Sequence, residues 1–298
     1  MHWFRWSIAW LAAVAPLLMA TAWAQPAPPG DPKRGQYVML ATGGCGCHTD
    51  YKNKGQPLAG GRPIKTPFGT AYGTNITPHN KSGLGEWSEA DFVRSMTQGV
   101  GLNGKELFPF FPYTSFTRMT PEDLRNLWAY IRTLRPVDLP NREHDLRAPF
   151  NVRSGIKVWK AVNFSPQPFR PDSAQSAAWN RGYYLVSVLG HCAECHTPRN
   201  LMGALKTDWA YAGSQDGPEG EAAPNLTPDR ETGLGSWSEA DIVYYLQTGL
   251  RPDGDSAQGL MAELIENGYT KLTEADLKAI ATYLRGLKPI RNKVEKPK

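Results

Sequence analysis

The four cysteines of this 298-residue chain fall in two close pairs, and each pair runs directly into a histidine: Cys45-Gly46-Cys47-His48 and Cys192-Ala193-Glu194-Cys195-His196. In the second group the thiols stand three residues apart, so on a helical turn they face the same way and can both add to the vinyl groups of one haem. The adjoining His196 is then held as proximal ligand of the iron, and Cys192, Cys195 and His196 form one functional unit. The rival chemistries fit less well. A redox dithiol has no need of the histidine, and half of a zinc site would want a second ligand pair within reach. Opposite the histidine, a low-spin electron carrier wants a thioether or a second imidazole. Met261, in a loop twelve residues before Thr273, is the candidate, the alternative being an ordinary core methionine.

The first group is one residue short, and an internal repeat locates the shortening. Arg34-Gly35-Gln36-Tyr37 answers Arg181-Gly182-Tyr183-Tyr184, and Asn75-Ile76-Thr77-Pro78 answers Asn225-Leu226-Thr227-Pro228. Gly83-Leu84-Gly85-Glu86-Trp87-Ser88-Glu89-Ala90-Asp91 answers Gly233-Leu234-Gly235-Ser236-Trp237-Ser238-Glu239-Ala240-Asp241. Self-similarity of this extent is a tandem duplication. Arg34 to Cys47 is 13 residues and Arg181 to Cys195 is 14, so Cys47-His48 aligns with Cys195-His196 and Cys45 is the displaced partner. On a regular helix, thiols two apart diverge by roughly 200°. Both reach one haem only from an extended or distorted backbone, which Gly43, Gly44 and Gly46 make accessible. Attachment through both thiols, through Cys47 alone, or no attachment are the three options, and in the first two His48 is the proximal ligand.

The distal side of the first group departs as well. Trp87 to Gly104 and Trp237 to Gly254 are both 17 residues, so the register there is secure. Seven residues beyond the second glycine stands Met261, and seven beyond the first stands Phe111. Met119 aligns instead with Leu272, just before a helix N-cap, where an apolar residue usually makes a staple contact. The first iron therefore takes Met119, is five-coordinate, or uses an unforeseen group.

The elements that position these residues are helices, repeated in each half. Ser88 with Asp91 and Ser238 with Asp241 predict N-caps opening helices over 88–98 and 238–248. Thr120 before Pro121 opens another, with Leu124, Leu127, Trp128, Ile131 and Leu134 at helical spacing, and Thr273 opens its counterpart with Leu277, Ile280, Ala281 and Leu284 inward. Segments 32–42 and 178–189 form helices ending near the cysteines. No convincing run of alternating strands is present. The expectation is an all-α chain with a first unit over 25–136, a linker over 137–177 and a second unit over 178–298. The linker, rich in Pro140, Pro149, Pro166, Pro168 and Pro171, is too long for a plain loop. It should lie across the units with a helical turn near Val158-Trp159-Lys160, anchored by Trp159, Phe164 and Phe169.

Residues 1–24 read as a secretory signal peptide: Arg5, an apolar run from Ile8 to Ala20, and Ala22-Trp23-Ala24 before the cleavage point. About 13 apolar residues interrupted by Pro16 fall short of the roughly 20 that span a bilayer. Cleavage removes Arg5, leaving 32 basic against 28 acidic residues. That weak excess is cancelled by the propionates of two haems, so nucleic acid is excluded as a partner class. The stretch from Lys288 to Lys298 holds five basic residues against Glu295 and is a solvated tail or a contact for an acidic partner or an anionic membrane surface.

With these residues in view the chain resembles the dihaem c-type cytochrome family that includes the cytochrome c subunits of membrane-associated alcohol, gluconate and related dehydrogenases. The resemblance covers nearly everything after residue 24. Its specific passages are Trp179 to Leu185, Gly190 to Asn200, the two Gly-Leu-Gly-x-Trp-Ser-Glu-Ala-Asp blocks and the Pro-rich joining segment. It implies two tandem class I cytochrome c domains holding two haem c groups through Cys45, Cys47, Cys192 and Cys195, with His48, His196 and Met261 on iron. It also implies a periplasmic electron carrier with no catalytic residues of its own, passing electrons from a dehydrogenase subunit to a downstream acceptor, with peripheral membrane association possible. Asn75 and Asn225 begin a turn that in this fold tends to lie near the haem propionates, and Trp87 and Trp237 could pack or donate there. Simple turn or core roles are the alternative. Arg199 would pair with a propionate or stay solvated, and His79, His144 and His191 read as structural or exposed. An enzymatic alternative, with an open iron in the first unit acting on peroxide or sulfur compounds, rests on the methionine missing at Phe111.

Overall fold

A computed structural model describes residues 28–295, so the signal-peptide reading of 1–24 lies outside the described residues. The first half of the repeat begins with α1 (Pro32–Ala41), opened by Asp31, whose side chain accepts from the backbone N–H groups of Lys33 and Arg34. After the first cysteine group come strands β1 (Pro63–Thr66) and β2 (Gly69–Tyr72), then α2 (Glu89–Gln98), the single-turn α3 (Tyr113–Phe116) and α4 (Pro121–Ile131). Strand β3 (Asp145–Leu146) and helix α5 (Gly155–Asn163) follow. The second half runs through α6 (Ala177–Tyr184), which continues as a π-helical turn over Leu185–Leu189, then α7 (Ala193–His196), α8 (Glu239–Thr248), α9 (Gly259–Asn267) and α10 (Glu274–Arg285).

The helix starts follow their caps. Ser88 and Ser238 each make a full capping box with the aspartate three residues on, and Gly99 and Gly249 end those helices in the left-handed conformation at φ 63° and 75°. Thr120 and Thr273 accept from the backbone N–H groups of Asp123 and Asp276. The chain is not purely helical, however. Strands β1 and β2 form an antiparallel hairpin with Ile64 opposite Ala71, and β3 adds a third strand through Gly69–Leu146 and Thr70–Asp145 pairings. The hairpin is short and its turn, Thr66-Pro67-Phe68-Gly69, supplies most of the order: the Thr66 hydroxyl donates to Gly69 O and accepts from Phe68 N.

One hydrophobic cluster runs through both halves, joining Val38, Met39, Leu127 and Ile131 to Val186, Leu189, Leu277 and Leu284. Within each half the first helix crosses the last at a glycine. A Cβ on Gly35 would lie 1.8 Å from Asn126 O, and one on Gly182 would lie 1.9 Å from Ala279 O, so only glycine allows these backbones to touch.

Between the halves, two repeat-equivalent tyrosines exchange places. Tyr37 on α1 donates to Asp276 at 2.6 Å and accepts from Thr273 N at 3.1 Å, at the start of α10. Tyr184 on α6 donates to Asp123 at 2.6 Å and accepts from Thr120 N at 3.1 Å, at the start of α4. Each half thus caps the last helix of the other, an isologous arrangement of the kind that relates subunits of a symmetric dimer.

The segment between the halves is strapped down. The buried Asn75 amide donates to Val137 O and Leu139 O, while its oxygen accepts from the Thr77 N–H and hydroxyl. Asn225 repeats this with Thr227 and with Ile290 O, beyond α10. Further along, Trp159 donates to Met202 O, Phe164 meets Tyr113 at 5.0 Å and Phe169 packs on Tyr183 and Tyr184. Among the described residues no helix is long and apolar enough to cross a membrane.

Candidate functional site

In the second cysteine group the chain turns at His191, whose φ is 38°, and enters α7 with Cys192 as its N-cap and His196 as its last residue. The His196 imidazole is fixed by a 2.7 Å hydrogen bond from Nδ1 to Pro224 O, 28 residues on. A carbonyl oxygen only accepts, so Nδ1 carries the proton and Nε2 is left as a lone-pair donor. A contact of this kind fixes the ring and tautomer of metal-ligating histidines.

The first group reaches the same end by a different backbone. Gly43 and Gly44 have φ 75° and 74°, and Cys45 itself is left-handed at φ 55° before a 3-10 turn over Gly46–His48. The distortion expected of Cys-x-Cys is present, but the third residue that carries it is Cys45, not Gly46. The Cys45 thiol rests 3.2 Å from the Thr42 hydroxyl. His48 Nδ1 binds Thr74 O at 2.6 Å, 26 residues on. Thr74 and Pro224 occupy equivalent positions in the repeat, so both histidines present Nε2 in the same way.

None of the four cysteines is paired in a disulfide. Burial pushes Cys45 up to about 11 and both Cys192 and Cys195 up to about 12. Cys47 is exposed, yet the protein around it still raises its thiol, and Arg62 offsets only part of that rise. Thiols held protonated at neutral pH are poorly suited to dithiol–disulfide exchange, which needs a thiolate.

Met261 is half-buried against the core and stands on the first turn of α9, not in a loop. Glu221 from a neighbouring loop accepts from Leu260 N and so supplies the N-terminal cap that α9 lacks in sequence. Phe111, its counterpart, packs on Tyr113 and Phe116. Met119 is 4% exposed in the core cluster, like Leu272 at 8%, which is the staple position expected for both.

The other candidates make the following contacts within the protein. Arg199 pairs with Glu194 at 2.6 Å, Asn75 and Asn225 serve as turn and strap, His79 faces Asp138 at 3.6 Å, and His191 packs edge-on against Phe116. His144 accepts from Tyr72 N between Phe108 and Phe110. Among the described residues the Tyr113 hydroxyl is the one buried side-chain polar atom without a partner, and its acidity is lowered by burial and by Glu106 and Glu194.

Sequence patterns gave no sign of how the two groups meet. Each cysteine group is seated on a helix of the other half. Glu194, inside the second group, accepts from Thr114 and Ser115 of α3 at 2.7 and 3.2 Å. Gly43 and Gly44 lie against Leu264 and Asn267 of α9, and Arg62 binds Glu263 on α9, Glu219 on the preceding loop and Gly46 O. The only signal in sequence is the pair of glycines at 43 and 44, which mark a close approach without naming its partner.

This donor set, two oriented imidazoles each beside thiols, fits covalently attached haem. Comparison with known proteins agrees. The Cytochrome c family profile matches residues 181–288. The chain is 41% identical to the fructose dehydrogenase cytochrome subunit of Gluconobacter japonicus over 85% of this chain and 52% of that protein. It is 39% identical to the gluconate 2-dehydrogenase cytochrome c subunit of Pantoea cypripedii over 86% of this chain and 59% of that one. It thus spans between half and three fifths of the length of these two curated relatives. With a diheme c-type cytochrome of Cereibacter sphaeroides it shares 38% identity over 86% of both chains. On this likeness along nearly the whole length of a relative, the chain belongs to the family of c-type cytochromes that includes the cytochrome subunits of these dehydrogenases.

Proposed function

We propose that the chain is a periplasmic dihaem electron carrier, taking electrons from a partner dehydrogenase and passing them to a downstream acceptor. The observation that carries this reading is the repeated histidine geometry: His48 and His196 each hold Nδ1 against a backbone carbonyl at equivalent positions, Thr74 and Pro224. Each haem supplies a one-electron iron couple. The chain's part is to attach, orient and insulate. Cys192 and Cys195 would hold the second haem, and His196 and Met261 are the residues that would ligate its iron. Cys47 would hold the first, with His48 as its iron ligand, and Cys45 would add a second thioether where its left-handed backbone lets the thiol reach. Phe111 offers no donor where Met261 stands in the second half.

Protein matured in cells able to attach haem c should show two haems per chain in a pyridine haemochrome assay. A red-shifted contribution would report a single thioether at the first site. One haem per chain would overturn the dihaem reading. His196→Ala should lose the second haem's normal spectrum, and His48→Ala the first's, independently.

A further inference from the structure

We propose that Arg62, a residue of the first half, positions the helix that carries the methionine ligand of the second. The inference rests on the reading of Met261 as distal ligand and concerns what holds it there.

Three segments converge on the Arg62 guanidinium. It donates to both carboxylate oxygens of Glu263 on α9, to Glu219 at 2.9 and 3.3 Å on the loop before it, and to Gly46 O inside the first cysteine group at 3.4 Å. The side chain is 7% exposed, and the Glu219 and Glu263 side chains are 16% and 30% exposed. Burial alone would lower the Arg62 pKa, but the bonds to Glu263 and Glu219 outweigh it and raise it, so the cation is permanent. Glu263 stands two residues beyond Met261. Leu264, on the same face of α9 as Met261, meets Gly43 of the first group, and Asn267 O meets Gly44. The helix has no side-chain cap of its own and is held at its start by Glu221, from the same loop as Glu219.

Two carboxylates of the second half thus face each other across one planar fork from the first. Without the cation they repel, and α9 moves off its seat with Met261 on its first turn. Outer-sphere contacts of this kind change metal–ligand affinity by about 10- to 100-fold. Arg62 is accordingly a positioning residue for a ligand in the other half of the repeat.

The test uses the full-length dihaem protein. A ferric haem with methionine on iron has a weak long-wavelength charge-transfer band, and exogenous imidazole competes for the methionine's place. Arg62→Gln should weaken the band and tighten imidazole binding at the second haem by about 10- to 100-fold. Arg62→Lys, which keeps the charge without the fork, should fall between, and Lys278→Gln on the exposed face of α10 should match wild type. If Arg62→Gln does not fold, the triple variant Arg62→Leu, Glu219→Gln, Glu263→Gln removes the charges together with the link and is read by the same band and titration. Wild-type behaviour in the folded variant overturns the inference. Met261→Leu separates the two layers: loss of the band there with an unchanged Arg62→Gln defeats the inference alone, whereas a band that survives Met261→Leu defeats the ligand reading and the inference with it.

Discussion

The exchanged tyrosines make a quantitative prediction, because the two ends of the exchange are not equally supported. Tyr184→Phe removes the 2.6 Å bond to the Asp123 carboxylate and the acceptor for Thr120 N. Tyr184 is 5% exposed, so water does not replace its hydroxyl. One charge-assisted and one neutral hydrogen bond together come to about 2–4 kcal/mol. Tyr37→Phe removes the matching pair at Asp276, but Arg181 still holds Asp276 through two bonds of 2.8 and 2.7 Å. Tyr37 is also only half-buried. Its loss should cost about 1–2 kcal/mol. Calorimetric unfolding of the haem-loaded protein is the assay, and Tyr184→Phe should lower Tm by roughly 6–12 °C against roughly 3–6 °C for Tyr37→Phe. The double variant should unfold in two separated transitions, since these bonds join the halves. A Tyr37→Phe protein less stable than Tyr184→Phe, or both within about 0.5 kcal/mol of wild type, would refute the reasoning.

Two further outcomes follow. Burial and then Arg153 push His144 down to about 4, so between about pH 6.5 and 4 the unfolded chain binds a proton that the folded one refuses. Stability should be flat above that window and fall as pH drops through it, by at most about 1.4 kcal/mol per pH unit, and His144→Gln should flatten this part of a urea-unfolding profile measured against pH. Gly182→Ala places a methyl 1.9 Å from Ala279 O, which forces α6 and α10 apart. It should cost about 1–3 kcal/mol by denaturant titration.

The helices were legible because their caps are local: Ser88 with Asp91, Ser238 with Asp241, Thr120 and Thr273 each settle a boundary within four residues. The second cysteine group was legible for the same reason, and the repeat carried its logic to His48. The small sheet escaped because its hairpin strands are four residues long and its third strand comes from the joining segment, more than seventy residues away. Local sequence reads Met261 as loop because the cap of α9 is Glu221, a residue almost forty positions earlier. The seating of each cysteine group on the opposite half depends on Arg62–Glu263 and Thr114–Glu194, pairs of ordinary surface-type residues that no periodicity singles out.

The exchanged tyrosines also bear on when the molecule can be finished. Tyr37 is bonded to residues 236 and 239 positions later, whereas Tyr184 meets Asp123 after only 61. A chain made from its N-terminus can therefore close the Asp123 end as soon as α6 emerges, but the Tyr37 end waits for nearly the whole sequence. The first half must persist for that interval with one of its two tyrosine fastenings undone, and shortening the chain before α10 would leave that pair permanently half-closed.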